Sequence, residues 1–232
     1  MFKDKIQYTY SFGYDEDKAE FLICNEDLFE KKLLTSTTIK SVKIWFGSPP
    51  EKNDIKSILG IQIEYINYLT GEKKNTKYQG APIEGTNIEI KELNISDGKF
   101  LSYFNIIFHE YITYIKIGTK DKFIEFGNYE KDKQLGSLEE LNSGNNIVIN
   151  IKGKTGKNGI RSLGCDYMPY DIFFLIRTQD LFRLRLKLKK DKKFREKYKS
   201  KKEVDKLSDE MKLILNVCNL APTPFATLIK YL

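Results

Sequence analysis

The chain has 232 residues, of which 41% are apolar and 31% charged, and carries a net charge of +7. With 15 Phe, 14 Tyr and one Trp it has the material for a sizeable core, which excludes a disordered tail. One histidine, His109, and three scattered cysteines, Cys24, Cys165 and Cys218, exclude a self-contained Cys/His zinc site, a disulfide framework and most histidine-based catalysis.

The opening residues Met1-Phe2-Lys3-Asp4-Lys5-Ile6-Gln7 hold no apolar signal core, so an intracellular, cytoplasmic location is expected. Asn94-Ile95-Ser96 then reads as a chance sequon. Asp15, Glu16, Asp17 and Glu20 form an acidic stretch without the glycine and terminal glutamate of a calcium loop, so no metal or other cofactor is expected there. Asp27–Leu34 fits a helical turn or a strand equally well. From Val42 onward the chain alternates apolar and polar residues with period two: Val42, Ile44 and Phe46; Ile61, Ile63 and Tyr65; Ile88 and Ile90; Ile115 and Ile117; Ile147, Ile149 and Ile151. β-branched and aromatic residues at this period predict half-buried strands. Turn signals separate them at Gly47-Ser48-Pro49-Pro50, Thr70-Gly71, Asp97-Gly98, Ser143-Gly144-Asn145-Asn146 and Asn158-Gly159. Many short strands at roughly ten-residue spacing predict an antiparallel sandwich, barrel or prism.

Near Thr178 the period changes. Thr178 reads as an N-cap before Leu181, Leu184 and Leu188, although Leu184–Leu188 also alternates as a strand would. Ser200-Lys201-Lys202-Glu203 has the form of a capping box opening a helix with Val204, Leu207, Met211, Leu215 and Cys218 on one face. Thr223-Pro224 opens a last short helix. The charge is concentrated here. Residues 183–202 hold twelve basic groups (Arg183, Arg185, Lys187, Lys189, Lys190, Lys192, Lys193, Arg195, Lys197, Lys199, Lys201 and Lys202) against Asp191 and Glu196, a balance of +10. Residues 1–182 sum to −2 and residues 203–232 to −1. Such a block draws polyanions and acidic protein surfaces.

Three blocks carry a family likeness: Thr37–Phe46 with Ile55–Tyr65; Tyr114-Ile115-Lys116-Ile117-Gly118-Thr119 with Phe126-Gly127; and Gly153-Lys154-Thr155-Gly156 with Ile160-Arg161-Ser162-Leu163-Gly164. In order and spacing they resemble jacalin-related lectin domains over about residues 10–176. The resemblance implies a mainly β chain: a β-prism of three antiparallel four-stranded sheets about a pseudo-threefold axis, in residues 1–176. A basic, helical C-terminal extension, residues 177–232, would follow it. It also implies a mannose- or galactose-type site at one end of the prism, built from a glycine-rich N-terminal loop and a final loop bearing an aspartate. Here that final loop spans Gly156, Lys157, Asn158, Gly159, Ile160 and Arg161 and is one residue longer. Arg161 stands at the aspartate position, and a guanidinium donates but cannot accept the hydrogen bonds of paired hydroxyls. Asp166, five residues on, has an offset that points it to the opposite face of a strand. Near the N-terminus only Gly13 stands where a glycine cluster would be.

Other motifs fail on position. Gly153-Lys154-Thr155 lacks the upstream glycine of a phosphate loop, since position 148 is Val148. His109-Glu110 is followed by Thr113, not a second histidine, and His109 reads as a hydrogen-bonded structural residue. No nucleophile–base pair stands out, so no enzyme is expected. The expectation is therefore a non-catalytic intracellular scaffold. It would dock onto an acidic protein surface or large assembly, such as a cytoskeletal filament, through Arg183–Lys199. Carbohydrate binding and non-specific RNA binding are the alternatives.

Overall fold

The computed structural model describes residues 7–8, 12–13, 20–21, 37–49, 55–67, 71–83, 86–142 and 145–178. The strands are β1 (Gln7–Tyr8), β2 (Phe12–Gly13), β3 (Glu20–Phe21), β4 (Thr37–Ser48), β5 (Ser57–Asn67), β6 (Lys73–Asn75), β7 (Gln79–Gly80), β8 (Thr86–Asn94), β9 (Tyr103–Phe108), β10 (Ile112–Gly118), β11 (Phe123–Phe126), β12 (Ser137–Asn142), β13 (Asn146–Gly156) and β14 (Gly159–Pro169). Helix α1 (Tyr129–Leu135) lies between β11 and β12, and helix α2 covers 170–178. The sequence segments 27–34 and 183–232, with the acidic loop at 15–17, lie outside the described residues.

The strands form three antiparallel sheets, each with four strand positions. In the first, β1 and β2 lie end to end along β14, followed by β13 and β3. In the second, β6 and β7 share one edge beside β5, followed by β4 and β8. The third runs β11, β10, β9, β12. This is one of the three architectures the residue pattern allowed, and the β-prism that the family resemblance implies. Its centre is one apolar cluster fed by all three sheets, including Ile44, Ile61 and Ile63, Ile106, Ile115 and Ile117, Ile151 and Leu163, all fully buried. Period two explains β5: Ile61, Ile63 and Tyr65 are sealed inside while Gln62, Glu64 and Ile66 between them keep partial exposure.

One polar thread crosses this core. Tyr65 Oη donates to Asn150 Oδ1 (2.8 Å), Asn150 Nδ2 to Asp166 Oδ2 (3.1 Å), and Lys152 Nζ meets Asp166 Oδ1 (2.8 Å). Each link removes a buried polar group from the unsatisfied state. Tyr65→Phe is expected to lower stability by about 1 kcal/mol, read as a shift of the urea midpoint without a change in slope. On the outer face of the second sheet Tyr78 packs edge-on against Trp45 (4.9 Å between ring centroids). Its ring lies where a Cβ on Gly60 would be, so this position has room for glycine alone. Burial pushes the Tyr78 phenol up to about 12, and its hydroxyl donates to the Ala81 carbonyl (2.7 Å).

The two ends of the prism differ. The start of β5, the β9–β10 loop and the β13–β14 turn gather at one end. A Cβ on Gly159 would lie 2.7 Å from the Ile58 carbonyl, and Arg161 reaches Glu110. The other end is closed by α2, whose Phe173 and Ile176 pack on Ile147 and Met168 beside Phe100. This corrects the reading of Thr178 as an N-cap. The helix begins eight residues earlier, and the Thr178 hydroxyl donates back to the Phe174 carbonyl (2.8 Å), one turn before it. The burial of Phe173 and Ile176 against the prism stabilises helix where the strand pattern runs out. Among the described residues no helix is long and apolar enough to cross a membrane.

Candidate functional site

The hairpin-turn end carries a feature repeated in all three sheets. In each central hairpin the second strand holds one extra residue against its partner. Leu59 sits between the pairs Ile58↔Phe46 and Gly60↔Trp45. Thr113 sits between Ile112↔Phe108 and Tyr114↔Ile107. Arg161 sits between Ile160↔Thr155 and Ser162↔Lys154. A bulge of this kind re-aims its side chain relative to the pleat. Three equivalent bulges thus carry three unlike side chains: an aliphatic one, a hydroxyl and a guanidinium.

The final loop carries its bulge at Arg161. The turn itself is two residues, Lys157-Asn158, closed by Gly156 facing Gly159, and the extra residue is taken up inside β14. Gly159 has φ +150°, a conformation that side-chain-bearing residues rarely adopt. Ile160 is fully buried in the core and presents nothing to a ligand. Arg161 is 9% exposed; its Nη2 lies 3.4 Å from Glu110 Oε1 and its guanidinium carbon 5.4 Å from the Tyr111 ring centroid. Gly156 packs against its stem. The guanidinium therefore ties the first sheet to the β9–β10 loop of the third. Asp166 is bound to Lys152 and Asn150, away from this turn. Gly13 pairs with Ser162, which places β2 alongside the same stretch of β14. Arg183, Arg185, Lys187, Lys189, Lys190, Lys192, Lys193, Arg195, Lys197 and Lys199 lie outside the described residues.

Beside the Arg161–Glu110 contact a cavity of about 640 Å³ opens at the seam between the second and third sheets. Its walls come from the β9–β10 loop (His109, Glu110, Tyr111), the start of β10 (Thr113), the end of β11 and start of α1 (Glu125, Phe126, Asn128, Lys131, Asp132), and the second sheet (Phe46, Lys56, Glu89, Lys91). Lys91 closes the seam: its Nζ donates to the Glu125 carbonyl (2.8 Å), pairs with Glu89 (2.9 Å) and lies 4.5 Å from the Phe126 ring centroid. Helix α1 is held in place by its cap. Asn128 accepts from the Lys131 backbone N–H (3.1 Å), and Asp132 Oδ2 accepts from that of Asn128 (2.8 Å). Glu125 Oε1 accepts from Tyr114 Oη (2.8 Å); burial first, then this bond, pushes the Tyr114 phenol up, so it stays a donor.

Among the described residues, two buried polar atoms at this cavity have no hydrogen-bond partner. Thr113 is 8% exposed and its Oγ1 is unmatched, as is His109 Nε2. The expectation of a hydrogen-bonded structural histidine is therefore corrected for the ring. The backbone N–H of His109 donates to the Tyr111 carbonyl (3.1 Å). Residue patterns did not single out Thr113, Lys56, Lys131 or Asp132. The signal for α1 was present in Asn128 followed by acidic Glu130 and Asp132, a capped start. Among the described residues no group of three or more His, Cys, Asp or Glu side chains is placed to hold a metal ion.

No protein-family model matches the chain, and no curated protein matches it significantly. Solved structures do. Wild-type Malaysian banana lectin shares 20% identity and covers 71% of this chain and 99% of its own, with a TM-score of 0.50. A mannose-binding jacalin-related lectin from Ananas comosus gives 12% identity, 72% and 99% coverage and a TM-score of 0.51. Calsepa lectin, solved in complex with a biantennary N-glycan, gives 14%, 71% and 97%, and 0.51. The chain has the jacalin-like β-prism fold.

Proposed function

We propose, from the β-prism fold of the jacalin-related lectins, that this chain is a non-catalytic carbohydrate-binding protein. Its saccharide would sit in the cavity between the second and third sheets rather than at the β13–β14 turn. Two of the similar proteins are described as mannose-binding or N-glycan-bound, which supports the ligand class. The observation that carries the location is the buried, unmatched Thr113 hydroxyl on a bulge at the cavity wall. A buried polar group without a partner lowers stability; Ser57 Oγ and Ser162 Oγ near the β13–β14 turn share that state, and Thr113 differs from them in lining the cavity. Sugar hydroxyls both donate and accept, and Glu110, Asp132, Asn128 and Thr113 offer both complements around one space. At the β13–β14 turn the place of an acceptor is filled by Arg161, already directed to Glu110 and Tyr111.

Thr113→Val tests this reading with two opposite signs. It keeps the shape and removes the unmatched hydroxyl, so stability is expected to rise by about 1 kcal/mol. Saccharide affinity, found by glycan array and measured by calorimetry, is expected to fall about tenfold. A variant that binds as tightly as wild type would remove Thr113 from the site.

A second reading rests on the +10 balance of residues 183–202. In it the prism is an intracellular scaffold held on an acidic protein surface, or on RNA, by that segment. Salt-sensitive capture that disappears on reversing Lys189, Lys190, Lys192 and Lys193 to Glu, with saccharide binding unchanged, would establish it beside the first.

A further inference from the structure

Building on the saccharide reading, we infer that the sugar taken by this cavity is an acidic one, bearing a carboxylate. The donors and acceptors of the wall are unequally committed. Each wall carboxylate already has a donor of its own. Glu89 is paired with Lys91, Glu110 with Arg161, Glu125 takes the Tyr114 hydroxyl with Lys116 at 3.8 Å, and Asp132 takes the Asn128 N–H. The ammonium groups of Lys56 and Lys131, which line the same cavity, have no ion-pair partner among the described residues. Thr113 adds an unmatched hydroxyl within the buried wall.

Three of the four wall carboxylates thus face a cation and Asp132 takes a neutral N–H, while Lys56 and Lys131 have no counter-charge among the described residues. A neutral hexose would leave both ammonium groups without a counter-charge. A uronic or sialic acid carboxylate accepts from both and from the Thr113 hydroxyl, and charge-assisted bonds of this kind are about twice as strong as neutral ones. The remaining lone pairs of Glu110 and Asp132 still accept from the ring hydroxyls, which keeps the ligand a sugar rather than any anion.

Calorimetric titration of the full chain at low ionic strength, with galacturonate against galactose and glucuronate against glucose, tests the inference. The acid form is expected to bind at least about tenfold tighter than its neutral parent. The double variant Lys56→Gln, Lys131→Gln is expected to bring the acid form down to the affinity of its neutral parent. Equal affinity for acid and neutral sugars in the wild type would overturn the acidic preference and leave the saccharide reading standing. No binding of any sugar, here or on a broad glycan array, would overturn both. A preference that survives Lys56→Gln, Lys131→Gln but disappears when Lys189, Lys190, Lys192 and Lys193 are reversed to Glu would assign the anion to the basic segment and overturn the inference for the cavity.

Discussion

Ile106→Ala is expected to lower the stability of the chain by about 3 kcal/mol, within the range of about 2–5 kcal/mol for truncating a buried aliphatic side chain. Ile106 is fully buried on β9, a central strand of the third sheet, in the cluster shared with β4, β5, β10, β13 and β14. Truncation there removes contacts with more than one sheet at once, and the surrounding strands are tied by their ladders and cannot close the space. At about 2–4 °C per kcal/mol for a domain of this size, the melting temperature should drop by roughly 6–12 °C. Because one core serves three sheets, the loss should appear in a single cooperative transition with an unchanged denaturant slope. Two separable transitions in the variant would show that one sheet unfolds alone and that the core is not shared.

Arg161→Asp is expected to lower stability by about 3 kcal/mol. By residue pattern alone the substitution restores the aspartate of a family-type sugar loop and should create a neutral-sugar site. The structure opposes that outcome. Arg161 is a bulge residue, 9% exposed, directed to Glu110 and lying over Tyr111. Breaking a buried ion pair by removing one partner costs about 3–5 kcal/mol, and the 45% exposure of the Glu110 side chain reduces that. The lost contact with Tyr111 adds about 1 kcal/mol, and the new carboxylate faces Glu110 with a like charge. A short aspartate also cannot reach across to the β9–β10 loop. Chemical denaturation of Arg161→Asp beside Arg161→Gln separates the effects, with the glutamine variant expected to lose less. Neutral-sugar binding gained by Arg161→Asp without loss of stability would return the site to the β13–β14 turn.

The pattern was clearest where one face is inside and one outside, as in Ile61, Ile63 and Tyr65 against Gln62 and Glu64 or Ile115 and Ile117 around Lys116; it also marked β4, which is buried on both faces, and β8, where Ile90 is half exposed. β9 escaped because Tyr103-Phe104-Asn105-Ile106-Ile107-Phe108 is buried on both faces and shows no alternation. Ile106 and Ile107 are neighbours, yet both are fully covered. Helix α1, YEKDKQL, has no apolar stripe and is set by its Asn128 cap and by Tyr129 packing on Tyr114. Helix α2 was not legible: the change of period was read only from Thr178, at the last described residue of the helix, because its start depends on Phe173 and Ile176 reaching Ile147 and Met168.

The amino-acid sequence by itself determined the β class and several of its turns, because period two and turn chemistry are local properties of the chain, while the choice of a prism over a sandwich or barrel came from the family resemblance. It also determined the asymmetry of charge that sets residues 183–202 apart. Only the tertiary structure decided which polar side chains meet. A bulge is a mismatch between two paired strands, so neither the length of the final loop nor the aim of Thr113 and Arg161 is written in either strand alone. The cavity is likewise a property of a seam. Lys56, Lys91, Glu110, Thr113 and Lys131 come from two sheets and a helix, and they meet because a shared apolar core draws the three sheets together.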